Sequence, residues 1–348
     1  MKYFMGTTLA VIIVALIYIG YKHNFGREAN IPIDYEQTGL SDQIVINFSH
    51  VIAENTPKGL AANKFAELVE KKTNGKVKVE VYPNSILYSD EEEMAALLNG
   101  DVQMIAPTFS KVTEIIPEWQ VLDLPYIMKD YQDIKTIFTG DVGEELLDEL
   151  DKVGIKGLTL WSSGFKQMTT NHNPLIHKED FDGLQFRTMP SETLQKQFEL
   201  LHAKSTNLNF DEVFSILEKH VLDSQENTIS NIYSKGFYKV QKYMTVSNHG
   251  ILGYAVMMNE DFWDSLSKDL QADIEEALKE VTLWNLEQSE QMNKDDLEKI
   301  KKNSPIIIHT LNGTEQHEWA EQWEPLYQNY EATINPRWIK RIQHELNE

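Results

Sequence analysis

The chain has 348 residues, with 54 acidic against 32 basic side chains, a formal net charge of -22 and no cysteine. That length allows two domains with separate cores, and the acidic balance argues against nucleic acid or an anionic membrane surface as partner. The lack of cysteine excludes disulfides, thiol catalysis, Cys-ligated zinc and anchoring through a lipidated cysteine.

Residues 1–24 hold one early lysine and then an uncharged, mostly apolar run from Tyr3 to Tyr21. The run is nearly long enough to span a bilayer and long for the core of a secretory signal. No clean small-x-small cleavage site follows, so an uncleaved signal-anchor is expected ahead of a cleaved signal peptide. Either places the rest of the chain outside the cytoplasmic membrane. Residues 25–42 read as a polar linker.

Next come an alternating strand, "QIVINFS", and a helix entered at Thr56-Pro57 and stopped at Asn74-Gly75. The strand "KVKVEVYP", a short helix in "DEEEMAALLNG" and the strand "VQMIAP" complete a strand-helix alternation that predicts an α/β domain with a mainly parallel sheet. "IKGLTLW", "FKQMTTN", "GLQFRTM", "AKSTNLNF" and "GYAVMMN" read as further strands, with a helix in "SETLQKQFELL" and another, "EVFSILEKH", capped by Asp211. From Asp261 to about Lys302 one or two long helices are expected, long enough to bridge two domains. After a last strand, "PIIIHT", the spacing of Trp319, Trp323 and Tyr327 makes a core stripe on a helix.

Enzyme signatures are missing: there is no GxSxG, HExxH, phosphate-binding loop or GxGxxG. His172 and His177 stand five apart, poor spacing for a metal, and neither metal nor cofactor is expected. The run Asp90-Glu91-Glu92-Glu93 fits the favourable end of a helix dipole better than a glycosidase carboxylate pair. The positive signal is a set of polar residues at predicted strand ends: His50, Thr108, Lys166, Arg187 and Asn227. In α/β folds strand ends face the ligand crevice. Two cations among neutral hydrogen-bonders suit a small organic anion, and the planar fork of arginine suits a carboxylate.

Eight ordered segments between about residues 43 and 260 carry a resemblance. They include "FSHVIAENTPKG", "VLDLPYIM", "GFKQMTTN", "EDFDGLQFRTM" and "NLNFDEVFSILEKHVLDSQEN". In them the chain resembles the substrate-binding proteins of tripartite ATP-independent periplasmic (TRAP) transporters, in the dicarboxylate-handling DctP branch. The resemblance implies a two-domain periplasmic-binding-protein-like α/β fold with the ligand in a cleft between domains and a long bridging helix. Residues 43–164 plus 253–292 would form one domain, and 165–252 plus 293–348 the other. It also implies that Arg187 pairs with the ligand carboxylate, that Asn227 of "SQENT" contacts the same ligand, that Phe210 lines the pocket and that Lys166 is a second cation. His50, Lys58 and Thr108 are weaker carry-overs. Ser224 and Thr228 depart from the family's "GQENP", which leaves the placement of Asn227 open. The implied ligand is a small dicarboxylate of the malate, succinate or fumarate type, captured by cleft closure. The implied partner is a TRAP permease or, for a membrane-anchored form, a sensor kinase served as co-sensor.

Overall fold

The computed structural model describes residues 43–347, so the expected anchor (1–24) and nearly all of the linker (25–42) lie outside the described residues. Strand β1 (Ile44–Ser49) pairs in parallel with β2 (Val77–Tyr82) and with the two-residue β3 (Met104–Ile105). Helix α1 (Pro57–Lys72) connects β1 to β2. It starts as its sequence dictates: Thr56 caps it by accepting from the Gly59 N–H, and Pro57 stands at the first turn, where no N–H is needed.

The sheet is mixed, because antiparallel pairs join two parallel sets at its centre. Strand β4 (Ile155–Thr170) runs 16 residues where the sequence reads as two strands. Its first part pairs antiparallel with β9 (Ile251–Asn259), which continues to β3. Its last part pairs with β7 (Ser224–Thr228) on one side and β8 (Tyr243–Val246) on the other. From β7 the sheet continues in parallel to β5 (Gln185–Thr188) and β6 (Lys204–Asn207), while β8 pairs with β10 (Ile307–Thr310). β4 is therefore common to both halves.

The register of β4 against β9 shifts between Ser162 and Gly164, where the strand passes from one half to the other. A 36-residue helix, Lys268–Asn303, locks this point. Asn285 accepts from Ser162 N–H at 2.7 Å and donates to Ser162 O, while Asn293 donates to Ser163 O at 2.7 Å. Gly164 sits at φ +102, and a Cβ there would lie 2.6 Å from Asn293 Nδ2. Only glycine satisfies both demands. The helix also packs against α1 and the segment Ile229–Ser234, so it reaches both halves of the sheet.

The long helical stretch is two helices, Glu260–Ser265 and Lys268–Asn303, parted at Leu266-Ser267. Asp211 does not cap the next helix: it lies within a turn at Phe210–Glu212, and Val213–Glu218 starts after Glu212 without a side-chain cap. Trp319 and Trp323 are buried and Tyr327 packs partly buried beside them, as the stripe requires. No helix among the described residues is long and apolar enough to cross a membrane.

Candidate functional site

Arg187, the penultimate residue of β5, is almost wholly buried, 2 % exposed. Its Nε and Nη2 donate to one acceptor, the Leu208 carbonyl, at 2.9 and 2.6 Å. Nη1 has no hydrogen-bond partner, and no carboxylate lies within ion-pair distance among the described residues. Burial pushes the guanidinium down to about 10, opposed by Asp90, Glu226 and Asp211, so it stays a cation at neutral pH. A buried cation with an open donor edge is costly unless an anion completes it.

Arg187 lines a small pocket with Val51, Ile52, Asp90, Thr108, Met189 and Phe210, and Asn227, Asn231, Leu252 and Tyr254 close it. Asn227 is held by neighbours: its Oδ1 accepts from Thr228 N–H at 3.0 Å and from Asn231 Nδ2 at 2.8 Å. The departure from proline at 228 is thus part of the site, since Thr228 supplies an N–H that proline lacks. Ser224 is buried in β7 at negative φ, so glycine is not required there.

Lys166 does not reach this pocket. Its Nζ donates to Glu226 Oε1 at 2.8 Å, both side chains being sealed from water. His249 Nε2 meets Glu226 Oε2 at 2.8 Å, and Gln197 adds a longer bond. Burial alone would raise Glu226, but Lys166 and His249 hold it at about 2. The reason is strand alternation: on β7, Glu226 points to one face and Asn227 to the other.

Behind the pocket wall lies a second buried cation. Lys58 Nζ donates to Ala106 O at 2.8 Å and sits 4.0 Å from the centre of the Tyr254 ring. His50 is fully buried beside it, and burial with the Lys58 charge pushes it down to about 3, opposed only by a backbone contact at Ile52. Glu93 is buried too, accepting from Ser49 Oγ at 2.9 Å with Oε2 unpartnered.

The structure thus brings Arg187, Asn227, Phe210 and Thr108 together, sets Lys58 and His50 just behind them, and leaves Lys166 outside. Asp90, Asn231 and Tyr254 escaped the sequence reading. The sequence favours a helix-dipole role for the whole acidic run, yet Asp90 faces the pocket, Glu93 is buried and Glu92 accepts from Ser89. Only the apolar-polar swing of "YSDEEEM" hinted at this. A wider depression of about 510 Å³, along Tyr238–Tyr243 and Pro305–Ile307, shares no residue with the pocket.

An α/β chain built on one shared strand, with a buried, uncompensated arginine facing a small cleft, has the features of a solute-binding protein. Residues 48–333 match the family model of bacterial extracellular solute-binding protein, family 7 (DctP). The C4-dicarboxylate-binding protein DctB of Bacillus subtilis is 49 % identical over 330 residues, covering 95 % of this chain and 94 % of that one. A TRAP periplasmic solute-binding protein from Sulfurospirillum deleyianum, solved with bound succinate, superposes with a TM-score of 0.82 at 40 % identity, over 86 % of this chain and 98 % of the other. One from Pseudomonas aeruginosa with bound L-malate does so with a TM-score of 0.80 at 36 % identity, over 82 % and 100 %. The chain belongs to the DctP family of extracellular solute-binding proteins; it has the TRAP solute-binding fold and is not an enzyme.

Proposed function

We propose that this protein captures a C4 dicarboxylate of the succinate, malate or fumarate type outside the cytoplasmic membrane and hands it to the membrane subunits of a TRAP transporter. The observation that carries the reading is the open Nη1 edge of Arg187, buried and without a carboxylate partner among the described residues. One ligand carboxylate docks there in a charge-assisted bond. The Asn227 amide and the Thr108 hydroxyl add neutral contacts, and Phe210, Met189 and Leu252 exclude water from the carbon chain. The field of Lys58 behind Tyr254, with His50 beside it, favours the second carboxylate, the role the sequence reading gave to Lys166.

Residues 43–164 plus 253–292 and residues 165–252 plus 293–348 act as two lobes, and lining residues come from both. The pocket measures about 20 Å³, room for about one water, so a four-carbon acid enters only when the walls part, and closure then buries it. Residues 1–24 tether the protein at the outer membrane face. Nothing among the described residues favours presentation to a sensor kinase over transport. Calorimetric titration of the full chain with succinate, L-malate, fumarate and lactate tests the reading. Binding of the dicarboxylates with micromolar or tighter affinity supports it; binding of lactate alone overturns the dicarboxylate class.

A further inference from the structure

We infer that anion capture by this pocket is linked to uptake of a proton by the buried Lys58–Glu93 pair behind its wall. The inference rests on the pocket being the dicarboxylate site, and it turns on a balance of buried charge. Asp211 and Glu226 both face Arg187, but Asp211 also faces Lys235, and Glu226 is neutralised by Lys166. Lys111 faces Glu93 from Phe109–Val112, yet its Nζ lies 3.6 Å from Glu114. What remains around the pocket is Arg187 and Lys58 against Asp90 and Glu93, a net charge of zero when all four are ionised.

A dianion entering such a site would leave two negative charges uncompensated in a place closed to water, which is costly. Protonation of Glu93 relieves one of them. The geometry permits it: Oε2 of Glu93 is buried with no partner among the described residues, so a proton there displaces no hydrogen bond, while Ser49 Oγ serves Oε1 in either state. No ion pair within 4 Å ties Glu93 to Lys58, whose Nζ is held by Ala106 O and the Tyr254 ring. The remaining neighbours do not compete, since His50 is held neutral and burial pushes the Tyr254 hydroxyl up to about 12. Burial also raises Glu93 and lowers Lys58, both to about 8, so the pair titrates where ligand can shift it. A bound anion favours the protonated form of both members. Protons are therefore taken up on binding, and affinity weakens as pH rises through about 8.

The test is titration of the full chain with fumarate, fully dianionic at this pH, near pH 8 in phosphate and in Tris, whose ionisation enthalpies differ. Expected is uptake of roughly half to one proton per ligand, and a dissociation constant rising above pH 8 by up to about tenfold per pH unit for each of the two groups that takes up a proton. In the double variant Lys58→Met/Glu93→Gln the uptake disappears. On the wild type, NMR titration of the Lys58 ε-carbon gives a second readout needing no variant: its midpoint moves up when fumarate is bound. Equal heats in the two buffers, an unmoved Lys58 midpoint, or undiminished uptake in the double variant overturns the linkage while leaving the binding site standing. Failure of fumarate, succinate and malate to bind at any pH overturns the pocket itself.

Discussion

Arg187 and Lys166 are both long cations sealed from water, and they flank the same strand, β7, on β5 and β4. Their surroundings differ in one respect. Lys166 meets a carboxylate of the chain, Glu226, whose other oxygen is taken by His249. Arg187 meets one backbone carbonyl and keeps Nη1 open. Burial alone therefore does not tell the two cations apart. What does is whether the chain itself completes the charge, and β7 makes the distinction by turning Glu226 to one side and Asn227 to the other.

Two substitutions should give crossed results. Arg187→Ala is expected to lower succinate affinity several hundred-fold or more, about 3–5 kcal/mol, while changing unfolding stability by no more than about 1 kcal/mol, since no protein carboxylate is left unpaired. Lys166→Met strands Glu226 and is expected to destabilise the fold by about 3–5 kcal/mol in urea unfolding, with a smaller effect on affinity than Arg187→Ala. If Lys166→Met instead loses binding and keeps its stability, Lys166 contacts the ligand after all. Arg187→Lys keeps the charge but not the fork, and should also bind poorly. Titration of that variant with wild-type affinity would show that the charge alone, and not a guanidinium that holds Leu208 O and the ligand at once, carries the binding.

Acid separates the two regions by a smaller margin. His50 and His249 are both held below their ordinary value by burial, His50 near 3. A group depressed in the fold contributes stability that is complete above its unfolded value, about 6.5, and is lost as pH falls towards the folded value. Glu226, held at about 2, begins to lose its contribution only below about 4.5. Urea unfolding should therefore weaken from pH 6.5 downward by at most about 1.4 kcal/mol per pH unit for each histidine. His50→Asn should flatten that slope. An unchanged slope in His50→Asn would mean that His50 is charged in the fold.

The alternation of "GLQFRTM" placed Arg187 at a strand end, and "TPKG" fixed the start of α1, because both signals are local. The rest needed tertiary knowledge. Lys166 and Arg187 look alike in a sequence; that Glu226 neutralises one depends on β4 and β7 pairing in a register that puts Met168 opposite Glu226. The acidic run gave no sign that Asp90, Glu92 and Glu93 face three environments, since a six-residue helix beginning inside the run decides it. Two strands were read where β4 is one, because the register shift at Ser162–Gly164 breaks the alternation on which the reading relies.

The smallest effect concerns Thr228, where the family pattern has proline. Its φ of -72 already suits proline, and Asn227 before it lies in a strand, the region proline demands of its predecessor. Thr228→Pro would remove the N–H that Asn227 Oδ1 accepts at 3.0 Å and the hydroxyl that meets Ser163 and Ser230, each at 3.1 Å. Against those losses stands the lower entropy of an unfolded chain carrying proline, so stability should change by less than about 1 kcal/mol. Affinity is the sharper readout. Asn231 Nδ2 still holds Asn227 Oδ1 in the variant, so succinate binding should weaken by only about threefold to tenfold, the size of one neutral hydrogen bond. Loss as large as that of Arg187→Ala would mean that the Thr228 N–H, and not Asn231, sets the direction in which Asn227 presents its amide to the ligand.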